Sequence, residues 1–262
     1  LSSLFKPRPT RWLETPIRAL QSVRGALFGI SLPICSSGVL PLYGKLIHRG
    51  APVTAGLGFL LATPAIGLDT VLLSIPFLGW DFALIRLAAA IALALVVAFI
   101  IGTFTPTSSH HPHHHEASEG GSTGGLTAGL RFGLIERFDH TMPWVLAGLL
   151  VSAWLEPLVG HEFLENTSGA LEVVLFTLAG LPLYFCATGA TPLAAIAIHK
   201  SISPGAALAF LLVGPLVNIT VMRRVTALHG PRISTLLVIV LTSCAIGAGL
   251  LLNQLSFTAL ED

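Results

Sequence analysis

The chain has 262 residues, of which 53% are hydrophobic and only 10% are charged. Soluble domains average about 25% charged residues, so this composition excludes an ordinary soluble globular protein and predicts an all-α polytopic membrane protein. With a net charge of +1, the chain is not expected to bind nucleic acid, and membrane lipid is its expected surrounding.

The chain begins with a basic segment, residues 1–24, that lacks the apolar core of a signal peptide. Its second half can lie as an amphipathic helix on the anionic inner leaflet. Two membrane units are predicted at residues 25–104 and 143–255. A histidine-rich loop with an interfacial helix, residues 105–142, lies between them, and residues 256–262 form a short acidic tail.

Five apolar stretches in the two units approach or exceed the ~20 residues that cross a bilayer. Two further stretches are long enough to span but are interrupted by prolines, at Pro33 and Pro41 in one and at Pro182 and Pro192 in the other. Proline removes a backbone donor and disfavours helix just before it. The five predicted spans are 53–76, 82–104, 143–160, 204–222 and 233–255, and the interrupted stretches are 25–47 and 172–198.

The interrupted stretches belong to one segment that occurs twice. Shifting the chain by 151 positions, without a gap, places residues 29–64 over residues 180–215 with 14 of 36 positions identical. The identities include cysteine, histidine, proline and glycine, which low-complexity apolar helices do not match by chance. Secondary transporters are commonly built from such repeats, with the substrate site where interrupted helices meet near the middle of the bilayer.

The distribution of Lys and Arg predicts how the repeats cross the membrane, because these residues favour the cytoplasmic side. If both interrupted stretches are re-entrant, twelve Lys and Arg residues lie on one side and only Arg86 and Lys200 lie opposite. If both stretches span, the split is nine against five. The favoured topology is therefore two inverted repeats in a bacterial-type inner membrane, with the histidine-rich loop in the cytoplasm. The span 143–160 has no counterpart ahead of the first copy, so the first repeat is expected to lack its leading helix.

The two breaks supply the candidate substrate pathway, because irregular backbone is tolerated in a bilayer only where it is buried in protein or lines a wet cavity. A thiolate selects soft or borderline ions such as Cu(I), Zn(II) or trivalent arsenic, so equivalent cysteines in both breaks favour a soft substrate. A buried cysteine can equally be a packing residue in a tight turn. The candidate pathway residues are Cys35, Ser36, Ser37, Thr63, Cys186, Thr188, Thr191 and Asn218.

Three ionisable residues near the breaks are candidates for coupling or gating. His48 and His199 occupy equivalent positions and can change protonation near neutral pH, although interfacial anchoring is the simpler explanation of both. Asp69 stands in an apolar span, where a carboxylate can carry a coupling proton or a cation. The alternative for Asp69 is a helix end close to the membrane interface.

The loop between the repeats holds five of the ten histidines of the chain. Imidazole suits zinc, copper and nickel, so the tract predicts metal capture or sensing, with a flexible linker as the alternative. No tightly bound cofactor is expected, and Zn or Cu is expected only as a transported ion or an ion bound by this loop. The candidate ligands are His110, His111, His113, His114 and His115.

Two motifs carry a resemblance to a known family. PICSSGVLPLYGKLIHRGAP with FLLATPAIGLD, and PLYFCATGATPLAA with SPGAALAFLLVGP, resemble the predicted permeases related to organoarsenical efflux permeases. The second motif is most similar to their copper/zinc efflux branch. Relatives have Cys-Ser-Cys in the first break, so the resemblance carries over Cys35, whereas Ser37 stands in place of the second thiol.

The combined expectation is a permease that exports Zn(II) or Cu(I) by alternating access between inverted repeats. No GxxxxGK[ST] phosphate loop is present, so the energy is expected from an ion gradient or a partner. Export of trivalent organoarsenicals is the first alternative, and a permease-like accessory subunit of a larger membrane complex is the second. A homodimer is compatible with either. An enzyme is not expected, because the sequence places no base beside Cys186 or Ser37.

Overall fold

The structure of the protein is a computed structural model that describes residues 17–30, 36–105, 169–181, 187–199 and 202–258. In these ranges the chain forms ten α-helices and no β-strand. The all-α class predicted from the composition is therefore confirmed. The predicted span 143–160 lies outside the described residues. The expectation that the first repeat lacks a counterpart of this span therefore also concerns residues outside the described ranges.

The described helices form two sets of five, and each helix of the second set begins 151 positions after its counterpart. The first set is α1 (Arg18–Ile30), α2 (Ser36–His48), α3 (Val53–Ala65), α4 (Leu68–Leu78) and α5 (Trp80–Phe104). The second set is α6 (Gly169–Gly180), α7 (Ala187–His199), α8 (Pro204–Leu216), α9 (Ile219–His229) and α10 (Pro231–Thr258). The duplication therefore extends well beyond the 36 positions in which residue identity reveals it.

The turns between the helices are repeated as closely as the helices. Pro52 and Ser203 precede α3 and α8 with φ of −57° and −58° and ψ of 137° and 138°. Gly79 and Gly230 precede α5 and α10 with φ of +86° and +87°. Residues with a Cβ rarely adopt that conformation. Glycine at both positions therefore allows α4 and α9 to turn directly into the long helices α5 and α10.

Two of the predicted spans are bent. The span predicted at 53–76 consists of α3 and α4, whose axes differ by 41°, and the span predicted at 204–222 consists of α8 and α9, whose axes differ by 55°. Pro64 and Pro215 stand in the last turns of α3 and α8. Proline lacks the N–H that would continue the helical ladder and crowds the preceding turn. Each of these two predicted spans is therefore a pair of helices joined at a bend.

Helices α5 and α10 are the long membrane-crossing helices. Each contains a 25-residue apolar stretch, about 37 Å long, which exceeds the ~30 Å hydrocarbon core of a bilayer. When each bent pair is counted as one span, the described residues provide four candidate crossings. Helices α1, α2, α6 and α7 have only 12 or 13 residues each. The arrangement is that of a multi-pass membrane protein.

Helices α3 and α8 form the centre of the described structure. Every residue from Thr54 to Pro64 and from Gly205 to Leu216 is buried, as expected for helices that are apolar on all sides. Helix α1 packs along α3, and α6 packs along α8. Helices α5 and α10 pack on the outside of α3 and α8 and expose apolar side chains such as Phe99 and Leu251, as a lipid-facing surface does.

Helix α1 begins ahead of the domain boundary predicted at residues 24 and 25. Its buried face carries Ser22, Gly25, Ala26 and Gly29. A Cβ added at Gly25 would collide with the carbonyl of Ala55, so α1 and α3 lie in close contact. Helix α1 therefore crosses that boundary, with Ser22 as its one buried residue ahead of Gly25. At the other end of the chain, residues 256–258 continue α10 into the predicted tail.

The contact between α3 and α5 recurs between α8 and α10. In the second contact the larger and the smaller of the two facing residues have changed places. Thr54 faces Gly102 in the first repeat, and Gly205 faces Asn253 at the equivalent positions of the second. The same positions tie the first helix of each set to the last. Arg18 Nη1 donates to the Gly102 carbonyl at 3.1 Å, and Asn253 Nδ2 donates to the Gly169 carbonyl at 3.4 Å. One contact is thus built twice with different residues.

Gly249 on α10 allows that helix to approach α8 closely. A Cβ at this position would lie 2.6 Å from the Gly205 carbonyl oxygen and 2.9 Å from a methyl group of Val173. We predict that Gly249→Val lowers the free energy of unfolding by about 1–3 kcal/mol, because it overpacks the contact. Gly247→Val is the matched control, since a Cβ at Gly247 has no heavy atom within 4 Å. Equal thermal unfolding of both variants in detergent would contradict the close approach.

The exchanged pair predicts a compensating substitution. Gly102→Asn places a side chain where that of Thr54 lies, so it should destabilise the first repeat by about 1–3 kcal/mol. Adding Thr54→Gly reproduces the pair of the second repeat and should recover most of the loss, with a coupling energy of about 0.5–3 kcal/mol. A double-mutant cycle of thermal unfolding measures this energy. Strictly additive losses would show that the two repeats do not share this contact.

Candidate functional site

Of the prolines at the predicted interruptions, Pro41 and Pro192 lie inside helices, whereas Pro33 and Pro182 lie outside the described residues. Helix α1 ends at Ile30 and α2 begins at Ser36, while α6 ends at Gly180 and α7 begins at Ala187. Helices α2 and α7 each have 13 residues, about 20 Å, which is shorter than the ~30 Å hydrocarbon core. Each is therefore too short to cross the bilayer alone and is called a half-helix, and its first backbone N–H groups have no partner within the helix.

The pathway residues predicted at the breaks lie only partly within the described chain. Cys35 and Cys186 are outside the described residues. The backbones of Ser36, Ser37 and Thr188 form the first turns of α2 and α7, whereas their side chains are also outside the described part. Their role in binding a substrate stays a prediction.

A buried cation joins the two repeats at the second break. Arg86 on α5 is 4% exposed, and its Nη1 donates hydrogen bonds to Ser74 Oγ at 2.7 Å and to Thr191 Oγ1 at 2.9 Å. Ser74 on α4 donates its own hydroxyl proton to the Thr70 carbonyl at 2.7 Å. Thr191 lies on α7, five residues after Cys186. These three side chains, Ser74, Arg86 and Thr191, are named the Arg86 cluster, and they hold the half-helix of the second repeat against the first.

The second copy of this interface contains no polar group at the corresponding places. The positions equivalent to the Arg86 cluster are all apolar and buried, namely Leu40, Val225 and Leu237. Helix α9 therefore packs against α2 without the hydrogen bonds that join α4 and α5 to α7. Removing a charge from water costs several kcal/mol even when it is hydrogen-bonded. Because the fold does not require this charge, its position within the membrane indicates a functional role.

The side-chain oxygen atoms of Thr63 and Asn218 form hydrogen bonds within the fold. Thr63 Oγ1 donates to the Phe59 carbonyl at 2.7 Å and lies against Gly29, near the end of α1. Asn218 is the N-cap of α9, where its Oδ1 accepts a hydrogen bond from the Val221 amide at 2.8 Å. Asn218 thus stabilises the second bend, and Thr63 lies beside the helix that leads into the first break.

The three coupling candidates lie at helix ends. His48 and His199 are the last residues of α2 and α7, and both are exposed. They therefore stand at the ends of the half-helices that are remote from the breaks. Asp69 is the second residue of α4, next to the bend after α3, and its side chain is outside the described part of the chain.

The interface between the two bends is closed. Pro64 and Pro215 occupy equivalent positions and line the same crevice between α3 and α8. The other lining residues are apolar as well, and the space has no room for a water molecule. They are Leu60, Leu61, Leu216 and Val221.

No metal site is present within the described part of the chain. Among those residues, no group of three or more His, Cys, Asp or Glu side chains is placed to hold a metal ion. The predicted metal-binding tract is outside the described residues, and metal binding by it stays a prediction. This tract comprises His110, His111, His113, His114 and His115.

Arg86 was not among the site residues predicted from the sequence. The Lys and Arg distribution counts it on the outer side, at the start of the predicted span 82–104, whereas the structure buries it within α5. Asp81 is the only other charged residue of that helix. The rule that an intramembrane charge marks a function applies to Arg86 as it does to Asp69. The apolar Leu237 at the equivalent position of the second repeat is a further signal that the sequence contains.

Comparison with known proteins identifies the family. A family model, ArsP_1, described as a predicted permease, matches residues 8–254. The UPF0718 protein MJ0584 of Methanocaldococcus jannaschii is 34% identical over 68 residues, which are 26% of this chain and 19% of that protein. The UPF0718 protein YcgR of Bacillus subtilis strain 168 is 39% identical over 49 residues, 19% of this chain and 17% of that protein.

The chain thus spans about a fifth of the length of the curated relatives that it matches. No solved structure matches it. The family model, in contrast, extends over both sets of helices, both breaks and the Arg86 cluster. The chain therefore belongs to the ArsP_1 family of predicted permeases.

Proposed function

We propose that this permease exports a soft or borderline metal ion, Zn(II) or Cu(I), by alternating access between its two repeats. The observation that carries the proposal is the repetition of five helices with one break in each set, at which Cys35 and Cys186 hold equivalent positions. Thiolates prefer soft and borderline ions. Ligands related by an internal repeat allow one site to be reached from either side of the membrane.

Two equivalent interfaces between the repeats are the surfaces that open and close during transport. Helix α4 packs against α7, and α9 packs against α2. Each half-helix that begins at a break thus contacts the second half of the bent span in the other repeat. Opening one interface while the other closes exposes the breaks to the two sides of the membrane in turn. The closed crevice at Pro64 and Pro215 keeps the two sides separate.

We place the permease in the plasma membrane with the histidine-rich loop in the cytoplasm. Because Arg86 is buried in α5, Lys200 is the one remaining Lys or Arg that this orientation leaves outside. With Arg86 removed from the outer side, the Lys and Arg bias supports the orientation more strongly. Imidazole groups on the cytoplasmic side can collect Zn or Cu where an exporter takes up its cargo.

A trivalent organoarsenical is the second candidate cargo, and the Arg86 cluster favours it. The guanidinium keeps its charge in proteins. It contacts α7 five residues after Cys186. A metal cation that passes this point meets a charge of the same sign in a medium of low dielectric constant, whereas an uncharged thiophilic species does not.

Uptake into inverted membrane vesicles tests the proposal, with Zn(II), Cu(I) and methylarsenite supplied in parallel. We expect one of the three species to accumulate, and we expect Cys35→Ala/Cys186→Ala to abolish the accumulation because both thiol ligands are lost. Cys244→Ala is the matched control. That cysteine lies on α10, and its equivalent position is Leu93, so full uptake is expected.

The other outcomes are equally informative. Accumulation that persists in the double variant would exclude the thiol site. If none of the three species accumulates, the chain is better explained as an accessory subunit, and mild detergent should then extract it in a large assembly.

The second repeat predicts the effect of removing the Arg86 cluster. A triple variant, with Ser74→Val, Arg86→Leu and Thr191→Leu, gives the first interface the apolar residues found at the equivalent positions of the second. We expect the triple variant to be as stable as the native protein, or up to about 4 kcal/mol more stable, because apolar residues often replace buried charges without loss. We expect its transport to be lost. Melting temperature and vesicle uptake measured on one preparation separate the two effects, and normal uptake would contradict a functional Arg86.

A further inference from the structure

A second polar cluster joins the repeats at the other interface, between α2 and α9. The Tyr43 hydroxyl oxygen and His229 Nε2 are 2.7 Å apart. Tyr43 is fully buried, and His229 is the partly buried last residue of α9. The guanidinium of Arg224, also on α9, lies against Gly44, the residue after Tyr43. Tyr43, Arg224 and His229 are named the Tyr43 cluster.

Packing does not require the Tyr43 cluster. The equivalent positions in the interface between α4 and α7 are all apolar, namely Leu73, Leu78 and Ala194. Ala194 is buried, and Leu78 packs in the same apolar group. Each interface therefore has polar side chains where the other has apolar ones. The Arg86 cluster carries a permanent charge, whereas His229 is a group that can gain and lose a proton near neutral pH.

The charged groups on the helices around His229 are basic. Helices α2, α3, α9 and α10 contain no Asp or Glu, and α3 contains no ionisable residue. Helix α10 also carries the partly buried thiol of Cys244. Arg224 is the cation that lies against α2 beside Tyr43. The remaining basic residues on these helices have exposed side chains, and they are Lys45, His48, Arg223 and Arg232.

We propose that Tyr43 and His229 form a proton-binding site that couples a proton to the movement of the two repeats. The proposal rests on the proposed alternating access and names its coupling ion. In the closed interface, Nε2 of neutral His229 accepts the hydrogen bond of the Tyr43 hydroxyl. A proton that binds Nε2 turns this acceptor into a donor, so the Tyr43 hydroxyl proton must point elsewhere. The imidazolium is also repelled by Arg224, and the contact between α2 and α9 opens.

The separation of α2 and α9 can be measured without any cargo. Lys45 on α2 and Ala227 on α9 are exposed and accept spin labels as Lys45→Cys and Ala227→Cys, in a background in which Cys35, Cys186 and Cys244 are replaced by serine. We expect the distance between the labels to increase on acidification, as His229 gains a proton. A distance that is the same at every pH would overturn the proposal.

Variants at the site identify the titrating group. His229→Gln keeps a hydrogen-bonding partner for Tyr43 but cannot gain a proton, so one distance is expected at every pH. Arg224→Gln removes the repelling charge and should move the midpoint to higher pH. Arg223→Gln is the matched control, because that side chain is exposed, and its midpoint should move far less. A pH response that persists in His229→Gln would overturn the proposal.

Labels at the equivalent positions distinguish this inference from the proposed transport function. Pro76 and Ile196 are equivalent to Ala227 and Lys45 and are also exposed. If this pair approaches while the first pair separates, the interfaces alternate and the proton site controls them. If only the first pair responds, the proton site stands and alternating access is contradicted.

Discussion

In hydrocarbon, a backbone that leaves a helix finds no water to bind, so each interrupted segment must be covered by protein. Helices α3 and α8 are buried along their length, and the short helices of both repeats pack on them, namely α1, α2, α6 and α7. The contact is close because small residues allow it, as where Gly25 meets the Ala55 carbonyl and Gly205 meets Gly249. Half-helices too short to cross a bilayer depend on these contacts.

The duplication makes each repeat a reference for the other. A feature found in both copies, such as the positive φ at Gly79 and Gly230, is a requirement of the fold. A polar group found in only one copy is not required by the fold, and its burial lowers the stability of the protein. Arg86 and His229 are both of this second kind, since Leu237 and Leu78 replace them in the other copy. The two interfaces therefore use equivalent positions but differ in electrostatics.

Much of the architecture could be predicted, because its signals are local. Apolar length predicted α5 and α10. The bends near Thr63 and Asn218 accompany prolines, but their angles of 41° and 55° could not be predicted, because they depend on how the helices pack. Helix α1 crosses the boundary drawn at residues 24 and 25, because its small buried residues lie on both sides of it. Of the predicted pathway residues whose side chains are described, Thr191 is hydrogen-bonded to the other repeat.

By itself, the sequence determined the membrane class and the repeat, since composition and periodic identity are properties of the chain alone. Only the tertiary structure decided which residues meet across the repeats. Ser74, Arg86 and Thr191 come together from three helices, and Tyr43 and His229 from two, at separations of up to 186 residues. Such contacts depend on how helices are placed in space, and helix packing is fixed by the shapes of many side chains together rather than by any local pattern.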